Sequence, residues 1–330
     1  MQTAPVVSVV TPVYNGEPYL AECIESILAQ TYPHWEYVIV NNCSTDRTLD
    51  IAQQYAQRDA RIRIHDNATF LDRLANSNHA LRHISANSKY CKIVHADDWL
   101  FPECIEHMIE LAEAHDSVGI VGAYRLLGRR VDLDGLPYTC SIVPGQTLGQ
   151  SALHHIGRLG GLWIFGSPTS LLLRSDLIRS RNPFYNESNF HADAEVCLDL
   201  LQFCDFGFVH QVLTYTRYHP EAATAFADAV QTYIPGELQI LLTYGPRYLE
   251  PEDFDRCVDN KLQQYYVFLA RSVFRGQDKR FWNYHRDELH RLGRPLAWPR
   301  LVWNVILELA DHIFNPKWAV DKLRRKWRSR

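Results

Sequence analysis

The chain has 330 residues with 34 Lys+Arg against 38 Asp+Glu, a net charge of −4 at pH 7; that length holds one large or two modest domains, and the balanced charge argues against a general nucleic-acid binder. Eight cysteines, at 23, 43, 91, 104, 140, 197, 204 and 257, form no CxxC pair and no Cys/His metal spacing, the usage of reduced, packed thiols in a cytosolic protein. Neither a run of 18 apolar residues nor a charged-then-apolar leader at Met1–Pro5 occurs, so a soluble, cytoplasmic protein is expected.

The first hundred residues alternate strand and helix patterns. Val6–Val10 is a β-branched run suited to a strand buried on both faces. A turn at Asn15-Gly16 precedes a helix whose Leu20, Ile24, Ile27 and Leu28 form one apolar stripe. Tyr37–Val40 is the second strand, and Ser44 or Thr45 is placed to cap the helix carrying Leu49, Ala52 and Tyr55. Ile62–His65 predicts a third strand, residues 72–84 a helix and Tyr90–His95 a fourth strand. Such alternation implies βαβ units and a mostly parallel sheet, which binds ligands outside the carboxyl ends of its strands. Asn41-Asn42 and Asp97-Asp98 stand at two such ends. Adjacent carboxylates there suit a hard divalent cation, although an Asp-Asp turn opening the next helix has the same pattern. No GxGxxG follows the first strand and no GxxxxGK[ST] occurs, which disfavours a dinucleotide oxidoreductase or a P-loop kinase.

Several fragments, in order, resemble family 2 glycosyltransferases of the GT-A fold. They are Val9-Val10-Thr11-Pro12-Val13-Tyr14-Asn15, Val38–Asp46, Asp97-Asp98, Gly166–Ser170 with Phe184–Glu187, His191–Glu195, and Tyr215–His219. The resemblance covers roughly residues 5–225. It implies a GT-A domain over 1–228, with a nucleotide-binding half 1–100 and an acceptor and catalytic half 101–228. It also implies inverting transfer of a sugar from a nucleotide-diphosphate donor to an acceptor hydroxyl, with Mn²⁺ or Mg²⁺ on the diphosphate. By the same analogy Thr11, Pro12 and Tyr14 line base and ribose, and Asn41 or Asn42 meets the base edge. Arg73, Asn78, His95 and Ala96 belong to the donor site. Asp97 and Asp98 hold the metal, and His219 is either a metal or diphosphate contact or a surface histidine before Pro220; Asp193 is the general base, and Glu195 is the alternative base. The bland alternative for Asp193 and Glu195 is two charges on the solvent face of a helix. Trp163, Phe165 and Ser167 fall in the acceptor segment, where the aromatics would either stack on a sugar or fill the core.

Three departures from the family pattern bear on the donor. His95 replaces the first Asp of the metal motif; an imidazole there would ligate, favouring Mn²⁺ over Mg²⁺, or would contact ribose or base. Asn41 and Asn42 replace an acidic pair, and their amides both donate and accept, which suits a UDP- or dTDP-sugar. Ser77 replaces the basic residue that often precedes the family's Asn, here Asn78, and Arg73 could supply that charge from one helical turn away. An alternative function is a non-catalytic nucleotide-sugar binding protein of the same fold.

From about 229 the pattern is helical: Phe254, Val258, Leu262, Tyr266, Leu269 and Val273 predict a long amphipathic helix, followed by helices over 277–292 and 298–314. Residues 316–330 carry seven Lys/Arg and one Asp around Trp318, Leu323 and Trp327. This tail suits an interfacial helix on an anionic membrane, or a solvated or docked basic tail. The membrane reading would place the protein peripherally at the inner face, with a glycan or lipid-linked glycan acceptor in surface-polysaccharide or glycolipid assembly.

Overall fold

The computed structural model describes residues 4–132, 135–156, 162–219, 227 and 229–314. The chain divides into two compact units, Met1–Ala222 and Ala223–Arg330.

The first unit is built on a ten-stranded sheet. Its strands are β1 (Val6–Val13), β2 (Trp35–Asn41), β3 (Ile62–Asp66), β4 (Ser88–Ile93), β5 (Trp99–Leu100), β6 (Val118–Leu127), β7 (Arg130–Asp132), β8 (Ile142–Val143), β9 (Leu171–Arg174) and β10 (Asp205–Thr216). They run in the order β3-β2-β1-β4-β9-β6-β10-β5, with β7 beside β6 and β8 beside β10. Strands β3, β2, β1 and β4 are mutually parallel, while β9 is antiparallel to both β4 and β6 and joins the two halves. The helices are α1 (Leu20–Leu28), α2 (Thr48–Ala56), α3 (Arg73–Leu81), α4 (Cys104–Ala114), α5 (Gly145–His154), α6 (Ser175–Arg179) and α7 (Ala192–Leu200). Leu20, Cys23, Ile24 and Ile27 of α1 and Cys104, Ile105, Met108 and Ile109 of α4 pack with Val7, Val9 and Val13 of β1 in one apolar cluster. Val10, pointing the other way, is also buried, so β1 is apolar on both faces, as its β-branched run requires.

The site's position follows from where β1 and β4 part. Their pairing ends at Val10↔Ile93, while β1 stays paired with β2 as far as Val13↔Asn41. Pro12 has no N–H to donate, and it falls where a partner on the β4 side is no longer required. The parting lies at the carboxyl ends of β1 and β4, the switch point of the strand order, where the crevice of such sheets takes its ligand. Loop chemistry differs from expectation at α2. Asp46, not Ser44 or Thr45, accepts the Thr48 N–H at 3.0 Å. Ser44 and Thr45 instead bind Asn15, which takes a left-handed φ of 49°.

The second unit contains α8 (Tyr233–Tyr248), α9 (Pro251–Phe274), α10 (Lys279–Arg291) and α11 (Trp298–Phe314). Val258, Leu262, Tyr266 and Leu269 are the buried stripe of α9, while Val273 is exposed. His285 of α10 is buried with Nδ1 2.6 Å from the Tyr265 hydroxyl and Nε2 2.9 Å from the Val230 carbonyl. Burial holds its pKa down at about 4, so it donates from Nε2 and accepts at Nδ1. Among the described residues no helix is long and apolar enough to cross a membrane. The basic segment 316–330 lies outside them.

Candidate functional site

The two aspartates beyond β4 have opposite surroundings. Asp98 is buried: one carboxylate oxygen accepts the Thr169 hydroxyl at 2.7 Å and the other accepts the Arg217 backbone N–H at 3.1 Å. Burial, with the Asp97 carboxylate alongside, pushes its pKa up to about 6. The Asp97 side chain is 32% exposed, and its Oδ2 lies 3.0 Å from His219 Nε2. The two aspartates thus play different parts in holding this loop. Asp98 has both oxygens engaged and anchors the loop, and Asp97 with His219 forms the open pair.

Arg217 ties the end of β10 to this loop. Its Nε donates to the Asp97 carbonyl at 3.2 Å, it pairs with Glu22, and its guanidinium lies over the Tyr19 ring at 4.7 Å. Thr169 accepts the His95 N–H at 3.1 Å while donating to Asp98. Lys92 of β4, fully buried, donates to the carbonyls of Thr169 and Leu171 at 2.6 and 3.1 Å. Burial lowers the pKa of its amine. Sequence reasoning assigned no role to Thr169, Arg217 or Lys92. A lysine inside the apolar run Tyr90-Cys91-Lys92-Ile93-Val94 is the one visible signal, since such a charge needs internal acceptors.

Several expected donor contacts are committed elsewhere. Thr11 is buried in the sheet, donating to the Val94 carbonyl at 2.8 Å and accepting from the Tyr37 hydroxyl at 2.9 Å; it secures the point where β1 and β4 part. Asn41 donates to Asp66 at 2.7 Å. Asn42 donates to the Leu71 carbonyl and accepts from Asn67 and the Leu71 N–H. Both amides are buried and hold neighbouring loops, so neither presents an edge to a base. Cys43 follows them with a left-handed φ of 59°. Pro12, His95 and Ala96 are half-buried along the crevice, and Tyr14 is exposed. The Tyr14 ring meets that of Phe70 edge to face, with centroids 5.0 Å apart. Phe70, also exposed, was not anticipated, because nothing in its polar surroundings marks it.

Arg73 and Asn78 of α3 brace the segment leading to α7. Arg73 donates to the Phe190 carbonyl at 3.1 Å. Asn78 exchanges hydrogen bonds with the Tyr185 backbone at 2.9 and 2.7 Å and donates to Glu187 at 3.0 Å. In α7, Glu195 is buried and accepts from Asn186 and Asn189, the latter at 2.6 Å. With its oxygens so engaged it braces the turn ahead of α7. Asp193 is half-buried, and its Oδ1 accepts the Ala194 N–H at 2.9 Å. On the acceptor side, Phe165 is buried against Phe206, which removes it as a sugar platform. Ser167 stands at the position before the short 3₁₀ turn Pro168–Ser170 without a side-chain capping bond, while the Trp163 side chain lies outside the described residues.

One carboxylate oxygen beyond β4 and one imidazole nitrogen beyond β10 fit a divalent cation that takes one or two protein ligands plus phosphate oxygens. Residues 8–160, from within β1 to beyond α5, match the model of glycosyl transferase family 2. This segment belongs to that family. The chain is 34% identical over 137 residues to TuaG of Bacillus subtilis (strain 168), named for glycosyl transfer in teichuronic acid biosynthesis; the match covers 40% of this chain and 50% of TuaG. The chain spans about half the length of the curated relatives it matches. The fold is shared with S. aureus TarS 1-349 in complex with UDP-GlcNAc, at TM-score 0.62 and 17% identity over 88% of this chain and 80% of that one. It is also shared with mannosyltransferase PcManGT from Pyrobaculum calidifontis, in complex with GDP-Man and Mn²⁺, at TM-score 0.57 and 14% identity over 95% and 88%.

Proposed function

We propose that this chain transfers a sugar from a UDP- or dTDP-sugar to an acceptor hydroxyl with inversion, in the assembly of a bacterial surface polysaccharide or glycolipid. The observation that carries this reading is the Asp97–His219 pair, 3.0 Å apart and held at the end of β4 by Asp98, Thr169 and Arg217. The TarS complex with UDP-GlcNAc and the teichuronic acid role in TuaG's name support the donor and acceptor classes. Asp97 and His219 would hold Mn²⁺ or Mg²⁺, which supplies positive charge against the departing nucleoside diphosphate. The exposed Tyr14 and Phe70 rings would stack on the base. Asp193 would take the proton of the acceptor hydroxyl as its oxygen forms a bond to the anomeric carbon and the carbon–phosphate oxygen bond breaks.

Incubating the protein with UDP-, dTDP- and GDP-sugars and Mn²⁺ tests the reading. Release of UDP or dTDP is expected, and it should stop on addition of EDTA and return with excess Mn²⁺ or Mg²⁺. Turnover that persists in EDTA would remove the metal from the proposal. Failure of every sugar nucleotide to bind or react would remove the donor class.

Membrane contact is part of the same proposal. Helix α11 exposes Trp298, Val302, Trp303, Ile306, Leu309 and Ile313, at spacings of three, four and one residues, and leads toward the basic residues 316–330. An apolar stripe followed by positive charge suits the surface of an anionic bilayer. Full-length protein is expected to sediment with phosphatidylglycerol vesicles, and Trp303→Glu or a chain ending at Asn315 to remain in the supernatant. Equal sedimentation of all three would exclude this surface.

A further inference from the structure

Three histidines outside the crevice converge on one point. His65 lies on the edge strand β3, and His79 and His83 lie on or just after α3, four residues apart and so on one face of that helix. We propose that His65, His79 and His83 form a binding site for a divalent transition metal of the zinc class, clamping α3 to the sheet edge.

The geometry is that of a ligand set. His79 Nε2 lies 3.2 Å from His65 Nε2 and 3.3 Å from His83 Nε2, and ligand atoms of all three rings lie within 4.8 Å of one another. Zinc–nitrogen bonds of about 2.0–2.1 Å in a tetrahedron place ligand nitrogens about 3.3 Å apart. Hydrogen bonding alone does not account for the trio, because the single Nε2 of His79 cannot make two linear bonds to two other imidazoles. A cation at the centre uses all three lone pairs at once. Imidazole nitrogens select zinc and its late-transition neighbours over Mg²⁺, and three protein ligands leave a fourth position for water. Protonation does not compete strongly. Burial, the neighbouring imidazoles and the Arg63 and Arg82 charges lower His83 to about 4, and burial, the His65 imidazole and the Arg82 charge depress His79.

The clamp acts on a helix with a second task. The same α3 carries Arg73 and Asn78, which hold the 185–190 segment ahead of α7. His65 also adjoins Asp66, the partner of Asn41.

The test uses the full chain, freed of metal by chelation, with Zn²⁺ alone as the probe and a chromogenic chelator as competitor. One tightly held Zn²⁺ per chain is expected in wild type and in His219→Ala. In His79→Gln and His83→Gln the affinity should fall at least about tenfold, the effect of weakening a metal's supporting ligands. Wild type loaded with Co²⁺ should show the visible absorption of a tetrahedral nitrogen site, a readout that does not depend on any variant folding. Absence of that absorption, an unchanged affinity in folded His79→Gln and His83→Gln, or loss of the site in His219→Ala would each overturn the proposal.

Discussion

Asp193→Asn is expected to lower the rate of sugar transfer by about 10²–10⁴-fold, the usual contribution of a positioned general base, while nucleotide-sugar binding is retained. Asp193 sits in the first turn of α7, and its Oδ1 takes only the N–H of the next residue, leaving Oδ2 for a substrate proton. The chain leading to it is held from three points, by Arg73 on the Phe190 carbonyl and by Asn78 on the Tyr185 backbone and Glu187. Glu195, two residues on, makes the contrast. Its bonds to Asn186 and Asn189 close the same turn from inside, so Glu195→Gln should lower thermal stability before it affects chemistry. Turnover with several donors, together with UDP-induced stabilisation against heat, checks both variants. Undiminished transfer by Asp193→Asn would end its assignment as base.

Thr169→Val is expected to destabilise the first unit by about 2–4 kcal/mol and to raise the Mn²⁺ concentration needed for half-maximal turnover. The valine has nearly the shape of threonine but lacks the hydroxyl, so the Asp98 carboxylate loses a donor and the His95 N–H an acceptor. A hydrogen bond to a charged group contributes about 1.5–3 kcal/mol, and a buried unpaired N–H costs about 1–3 kcal/mol. Asp98 is then held only by the Arg217 N–H, and the loop presenting Asp97 loses its fixed distance to His219. Denaturant unfolding and a metal titration of activity check the two effects, and Thr169→Ser should restore most of both. Wild-type metal dependence in a folded Thr169→Val would show that this hydroxyl does not position Asp97.

Much of the fold was legible in the sequence. Buried strands and amphipathic helices have different repeat lengths, so Val6–Val10, the α1 stripe and the α9 stripe announce themselves. The antiparallel strand β9 was not legible, because pairing with both β4 and β6 is set by distant partners. In the site, resemblance places residues along the chain but says nothing of where their side chains point. Thr11, Asn41 and Asn42 stand at the expected strand ends, yet each is turned into the protein. Thr169 and Arg217 were missed because they act on Asp98 across 71 and 119 residues of sequence.

The sequence by itself determined the alternation of strand and helix, the family 2 segment, the carboxylates after the fourth strand, and the strongly basic end of the chain. Only the tertiary structure decided which of two adjacent aspartates faces solvent and which is locked inside. Neighbouring residues in a tight turn point apart, and a carboxylate tolerates burial only where donors meet both its oxygens. Thr169 and Arg217 supply them to Asp98, and Asp97 is left facing His219.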